Sequence, residues 1–166
     1  MKRIIYLLSI ALVALVSCNK TDDSSTSLDG RWNAPRFADQ PDDYAFSLIF
    51  KGNKLDAYII AWGEHFEGTY TFADDVLKYN ITKAYKAWSD VAFDDKGNMI
   101  SWSWMAGDMD QETFKLIDGY DWYDMTSEDL ADRKSILSEF SFKVRGNTAV
   151  AGELFGIDGL TFYKVK

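Results

Sequence analysis

The chain has 166 residues, 47% apolar and 16% aromatic, which suits one domain and excludes wholesale disorder. With 6 Trp, 9 Tyr and 11 Phe it favours sheet over helix, because flat rings pack well on a half-buried pleated surface. A net charge of −8 repels phosphate backbones and argues against nucleic acid, and one Cys with one His excludes an internal disulfide and a multi-His metal site.

The first element is an address. Met1–Lys2–Arg3 supplies positive charge, and residues 4–16 form an apolar run broken only by Ser9. As helix that run rises roughly 20 Å, short of the ~30 Å hydrocarbon core, so it reads as a secretory signal and not a membrane span. It ends in Leu15–Val16–Ser17–Cys18, which resembles the lipobox of bacterial lipoproteins. The resemblance implies cleavage after residue 17, acylation of Cys18, and membrane attachment through acyl chains, each buried CH₂ adding ~0.8 kcal/mol.

Residues 18–28 then form a lipidated tether, polar from Asn19 onward and poor in bulky groups. Lys20 followed by Asp22 and Asp23 resembles the acidic export signal that carries some lipoproteins of the Bacteroidetes to the cell surface. The expected location is the outer membrane, with surface-facing and periplasm-facing orientations both open.

From residue 29 the body, 29–166, reads as hairpins. Turn signals recur about every ten residues: Gly52–Asn53, Gly63–Glu64, Asp74–Asp75, Lys96–Gly97, Gly107–Asp108, Gly146–Asn147 and 156–159. Taking each as a tight turn sets the register. The first opposes Phe50 to Leu55, Leu48 to Ala57 and Phe46 to Ile59. The second opposes Ala57 to Tyr70 and Ile59 to Gly68. The third opposes Phe72 to Leu77, Tyr70 to Tyr79 and Gly68 to Ile81. All three agree on one apolar face, with Asp56, Glu67, Thr69, Thr71, Lys78 and Asn80 on the other.

Later turns oppose Phe93 to Ile100, Val91 to Trp102, Ser89 to Trp104, Val144 to Ala149, Phe142 to Ala151 and Glu153 to Phe162. Between these hairpins Thr126 is an N-cap with Asp129 three residues on, so a helix runs from there to about Ser138. Eight to ten strands in sequential short hairpins predict an all-β fold, an antiparallel up-and-down barrel with one short helix near 126–138. A two-sheet sandwich is the alternative.

Gly30–Arg31–Trp32, opening the first strand, resembles the Gly-x-Trp signature of lipocalins. The stretch 44–82, centred on Phe66-Glu67-Gly68-Thr69-Tyr70-Thr71-Phe72, is similar to lipocalin-like domains in lipoproteins of gut Bacteroidetes. The resemblance implies a calycin-type barrel over most of 29–166, with Gly30 and Trp32 as family positions. Two features depart from it: the last strand offers Lys164 and Lys166 where lipocalins carry an Arg over the signature Trp, and two or three strands follow the helix.

Candidate binding residues follow from this register. Phe46, Phe50, Phe66, Tyr70, Phe72 and Tyr79 face inward and either line a cavity or fill it. Trp102 and Trp104 share a face near Trp88, Tyr120, Trp122 and Tyr123, and either pack as core or stack on a ligand ring. Glu153 is the one acid whose register points inward. The run Asp108–Glu112 fails the calcium-loop spacing, and His65 has no nucleophile motif to serve, so no metal, cofactor or enzyme is expected.

Two functions follow. The first is a membrane-anchored lipoprotein whose barrel binds a small apolar or aromatic ligand non-covalently, through Tyr70, Tyr79, Trp102, Trp104 and Glu153. The alternative is a cell-surface module with a filled core that binds glycan or protein through its rim. The state of the interior discriminates them.

Overall fold

A computed structural model describes residues 27–37, 39–104 and 109–166. The expected leader 1–17, Cys18, the expected tether up to residue 26 and the expected turn at Gly107–Asp108 lie outside the described residues. Ten strands and one helix follow in order: β1 (Gly30–Phe37), β2 (Gln40–Lys51), β3 (Lys54–Ile59), β4 (Glu64–Ala73), β5 (Val76–Phe93), β6 (Met99–Trp104), β7 (Asp121–Asp124), α1 (Ser127–Leu137), β8 (Glu139–Arg145), β9 (Thr148–Ala151) and β10 (Thr161–Lys164). A 3₁₀ turn, Ile60–Trp62, separates β3 from β4.

Strands β1 to β5 form an antiparallel meander, β8 to β10 continue it, and β10 returns to β1. With β4 also paired to β5, eight strands close into a barrel with no free edge. The sandwich alternative is set aside. Strand β5 outruns the barrel by half its length. Its outer half carries β6 on the edge shared with β4, and β7 on the edge shared with β8. These form a small three-stranded flap beyond the rim.

Local sequence explains the hairpins. Gly52 and Gly146 open two-residue turns with φ of 60° and 61°, the positive values that twist-matched hairpins need. Asp74 and Asp75 both take positive φ in the third. The expected registers at these three turns are those observed. Helix α1 begins as expected, the Thr126 hydroxyl accepting from the Asp129 N–H at 3.1 Å.

Three expected registers are corrected. At Gly63–Glu64 the 3₁₀ turn consumes residues 60–62, so Ala57 pairs with Phe66 and Ile59 with Glu64. The slip is an even number of residues, so the buried face survives it. In the hairpin after β5, a bulge at Asp90 and Val91 gives Ser89↔Ser103 and Trp88↔Trp104 instead of the expected partners. After β9, residues 152–160 form a loop, Phe162 pairs with Ala149, and Glu153 is exposed. The expected inward Glu153 opposite Phe162 is therefore wrong, because the chain leaves the ladder before reaching it.

Buried rings pack against one another inside the barrel. Phe142 sits at the centre, with Trp32, Phe50, Phe140 and Phe162 at centroid distances of 6.0, 6.1, 6.2 and 5.6 Å. At one end Phe155 stacks on Phe46 at 5.6 Å and meets Trp62 edge-on at 5.0 Å. Trp32 is fully buried and its indole N–H donates to the Leu28 carbonyl at 2.7 Å. Lys164, paired with Trp32 across β1 and β10, holds its Nζ 5.3 Å from that ring. The cation over this Trp is thus a lysine. Among the described residues no helix is long and apolar enough to cross a membrane.

Candidate functional site

The barrel end beneath the flap opens into a cleft of about 380 Å³. Its floor comes from the barrel itself: Glu64 starts β4, and Lys86 and Trp88 lie on β5. One wall is Trp102 and Trp104 on β6. The other wall is Trp62 of the 3₁₀ turn with the N-cap Thr126 and with Asp129 and Arg133 of α1.

A backbone irregularity turns Lys86 and Trp88 into this space. Along β5 the inward residues are first Leu77, Tyr79 and Ile81, and Thr82 then forms a bulge between Gly68↔Ile81 and Glu67↔Lys83. One extra residue reverses the alternation, so Ala84, Lys86 and Trp88 point inward beyond it. The Thr82 hydroxyl donates to the Glu67 carbonyl at 3.1 Å, pinning the bulge.

Glu64 is the electrostatic centre. It is 1% exposed and accepts two hydrogen bonds from Arg133, Nε at 2.8 Å and Nη2 at 2.9 Å. Lys86 Nζ stands 3.6 Å from the same carboxylate. The hydrogen-bonded carboxylate holds the Arg133 pKa above its ordinary value. Burying a carboxylate costs several kcal/mol unless it is paired this well, so the network is retained against a penalty.

Each cation also rests on an indole. Lys86 Nζ lies 5.6 Å from the Trp104 centroid, and Arg133 Cζ lies 5.1 Å from that of Trp62. Trp88, 3% exposed, packs on Trp102 at 5.6 Å, and its Nε1 has no hydrogen-bond partner among the described residues. Trp102 and Trp104 remain 49% and 52% exposed. Open indole faces beside fixed cations and an unused buried donor form a surface that can hold a ring and polar substituents together.

Of the residues singled out from sequence, Trp102 and Trp104 come together here with Trp88. Tyr79 does not: it is core, and its hydroxyl donates to the Leu55 carbonyl at 2.9 Å, with burial holding its pKa above the usual tyrosine value. Tyr70 packs edge-on against Phe50 at 4.9 Å, inside the barrel wall. Glu153 lies in the exposed loop before β10, and Gly30 and Trp32 belong to the first strand and the core.

Trp62, Glu64, Lys86 and Arg133 were missed. Glu64 entered the sequence reading only as the second residue of the Gly63–Glu64 turn, and the other three carried no role in it. The 3₁₀ turn and the bulge bring Glu64 and Lys86 to the cleft, and neither has a residue signature strong enough to place beforehand.

His65 sits elsewhere, in an outer stack. Its ring lies 4.1 Å from Tyr58, which lies 3.9 Å from Phe114, over which Arg31 Cζ stands at 4.5 Å. Arg31 also donates to the carbonyls of Gln111 and Glu112, clamping the 109–120 segment onto the barrel wall. Burial lowers the His65 pKa to about 4 and raises that of Tyr58 to about 12.

No protein-family model matches the chain, and the searches of curated proteins and of solved structures return no significant match either.

Proposed function

We propose that this protein is a lipid-anchored, lipocalin-like binding module that holds a saccharide ring in the rim cleft, non-covalently, with a filled barrel behind it. The observation that carries the reading is the exposed pair Trp102 and Trp104 facing Trp62 across the Glu64–Arg133–Lys86 network. A wholly apolar ligand would cover Lys86 and Arg133 without pairing their remaining donors, which is costly. A sugar ring offers an apolar face to an indole and hydroxyls to those donors, so both surfaces are used.

The packed rings around Phe142 speak for the rim over the interior. Gly30 and Trp32 opening the first strand support the lipocalin likeness, with Lys164 standing over that ring where the likeness implies an Arg. The charged start, apolar run and Cys18 support lipidation and an outer-membrane address.

Indole N–H signals in ¹H–¹⁵N spectra test the site. Titration with glucose, galactose, mannose, N-acetylglucosamine and glucuronic acid is expected to move the signals of Trp88, Trp102 and Trp104 and leave that of Trp32 still, and Trp104→Ala is expected to abolish the effect. Movement of Trp32 on adding a fatty acid, with no response to sugars, would replace the rim by the interior. Blocking lipoprotein signal peptidase with globomycin is expected to accumulate precursor; normal maturation in its presence would remove the anchor.

A further inference from the structure

We infer that the cleft reads a saccharide chain and not an isolated ring: one ring on Trp104, the next on Trp102, with the chain leaving along β6. This rests on the saccharide reading above and adds its substrate class. Trp102 and Trp104 are two residues apart on one strand and line the same cleft, so their side chains share a face. Their Cα atoms are about 6.7 Å apart along the strand, on the order of one sugar ring.

Each indole has one face supported by the protein. Lys86 backs Trp104 and Trp88 backs Trp102, leaving two half-exposed platforms in series. The β5 bulge lies opposite Trp102, where Ser89↔Ser103 and Ala92↔Ser101 leave Asp90 and Val91 facing a single residue. Bulges re-aim side chains, and this one sets Asp90 and Val91 together against Trp102 in place of a single ladder partner.

The two ends differ. At Trp104 the cleft is bounded by Lys86, Trp62 and Arg133, which suits a terminal ring. Past Trp102 the strand runs to Ile100, 62% exposed, and among the described residues β6 pairs only with β5. The chain therefore enters at Trp104 and extends outward.

Calorimetric titration of the five sugars as chains of one to four rings, against wild type, Trp102→Ala and Trp104→Ala, tests this. The expected result is affinity about 3- to 10-fold higher for two rings than for one. Trp102→Ala is expected to bring chains down to the affinity of a single ring for the same variant, and Trp104→Ala to abolish binding of both. Both side chains are half exposed, so unchanged thermal melts should accompany each variant. Wild-type binding that does not grow with length overturns the inference and leaves the single-ring reading standing. A length gain that survives Trp102→Ala overturns the assignment to β6. Absence of binding by any saccharide overturns both; sedimentation showing self-association through β6 would then make a second copy the occupant.

Discussion

Arg133 on α1 grips Glu64 at the start of β4 with two hydrogen bonds of 2.8 and 2.9 Å, joining residues 69 positions apart. The pair fastens the helix to the barrel rim and holds the two cations against Trp62 and Trp104. Arg133→Met is expected to destabilise by about 2–4 kcal/mol, because it strips a buried carboxylate of its bidentate partner. Glu64→Gln combined with Arg133→Met should recover much of that loss, and urea melts of the two single variants and the double variant give the coupling. A double-variant loss equal to the sum of the two single-variant losses would show that the pair is not coupled.

Stability should depend on pH through His65. Its folded pKa of about 4 lies below the unfolded value near 6.5, so between these values the unfolded chain binds more protons. The contribution is fully present above pH 6.5 and is lost as pH falls through 4, a change on the order of 3 kcal/mol. Asp56, whose pKa is raised by burial and by Glu67, works in the opposite direction and at lower pH. Comparing melts of wild type and His65→Phe at pH 7 and pH 5 isolates the term. The variant should lose less stability between the two.

At Gly68, strand β4 lies too close to β5 to admit a side chain. A Cβ there would stand 2.1 Å from the Asn80 carbonyl oxygen and 2.9 Å from the Tyr79 ring. Gly68→Ala is expected to cost about 3 kcal/mol or more, because the obstacle is backbone at the bulge that aims Lys86 and Trp88. Gly52→Ala meets no atom within 4 Å and suffers only from its positive φ, so about 1 kcal/mol is expected. Thermal melts that rank the two the other way would contradict this account of the bulge.

Tyr79→Phe removes the donor to the Leu55 carbonyl and leaves that oxygen buried, for an expected loss of about 1–2 kcal/mol. Saccharide affinity should not change, since Tyr79 lies in the core and outside the cleft. An affinity loss at unchanged stability would reopen the interior as a site.

Read alone, the sequence determined the hairpins, the buried face and the helix start. Those follow from local chemistry: glycine and aspartate at turns, a two-residue alternation, and a threonine before an acidic first turn. Because the alternation has period two, even the misplaced second turn kept Ala57 and Phe66 on the correct side. Tertiary structure alone decided the cleft. The bulge at Thr82 and the 3₁₀ turn at residues 60–62 each depend on how neighbouring strands meet, and together they turn Lys86, Trp88 and Glu64 toward one rim. Arg133 comes from a distant helix, and its partner is set by packing because no local spacing links it to Glu64. Glu153 shows the converse: its inward register lapsed because closing the ladder from β9 to β10 left it in a loop, where a carboxylate stays hydrated.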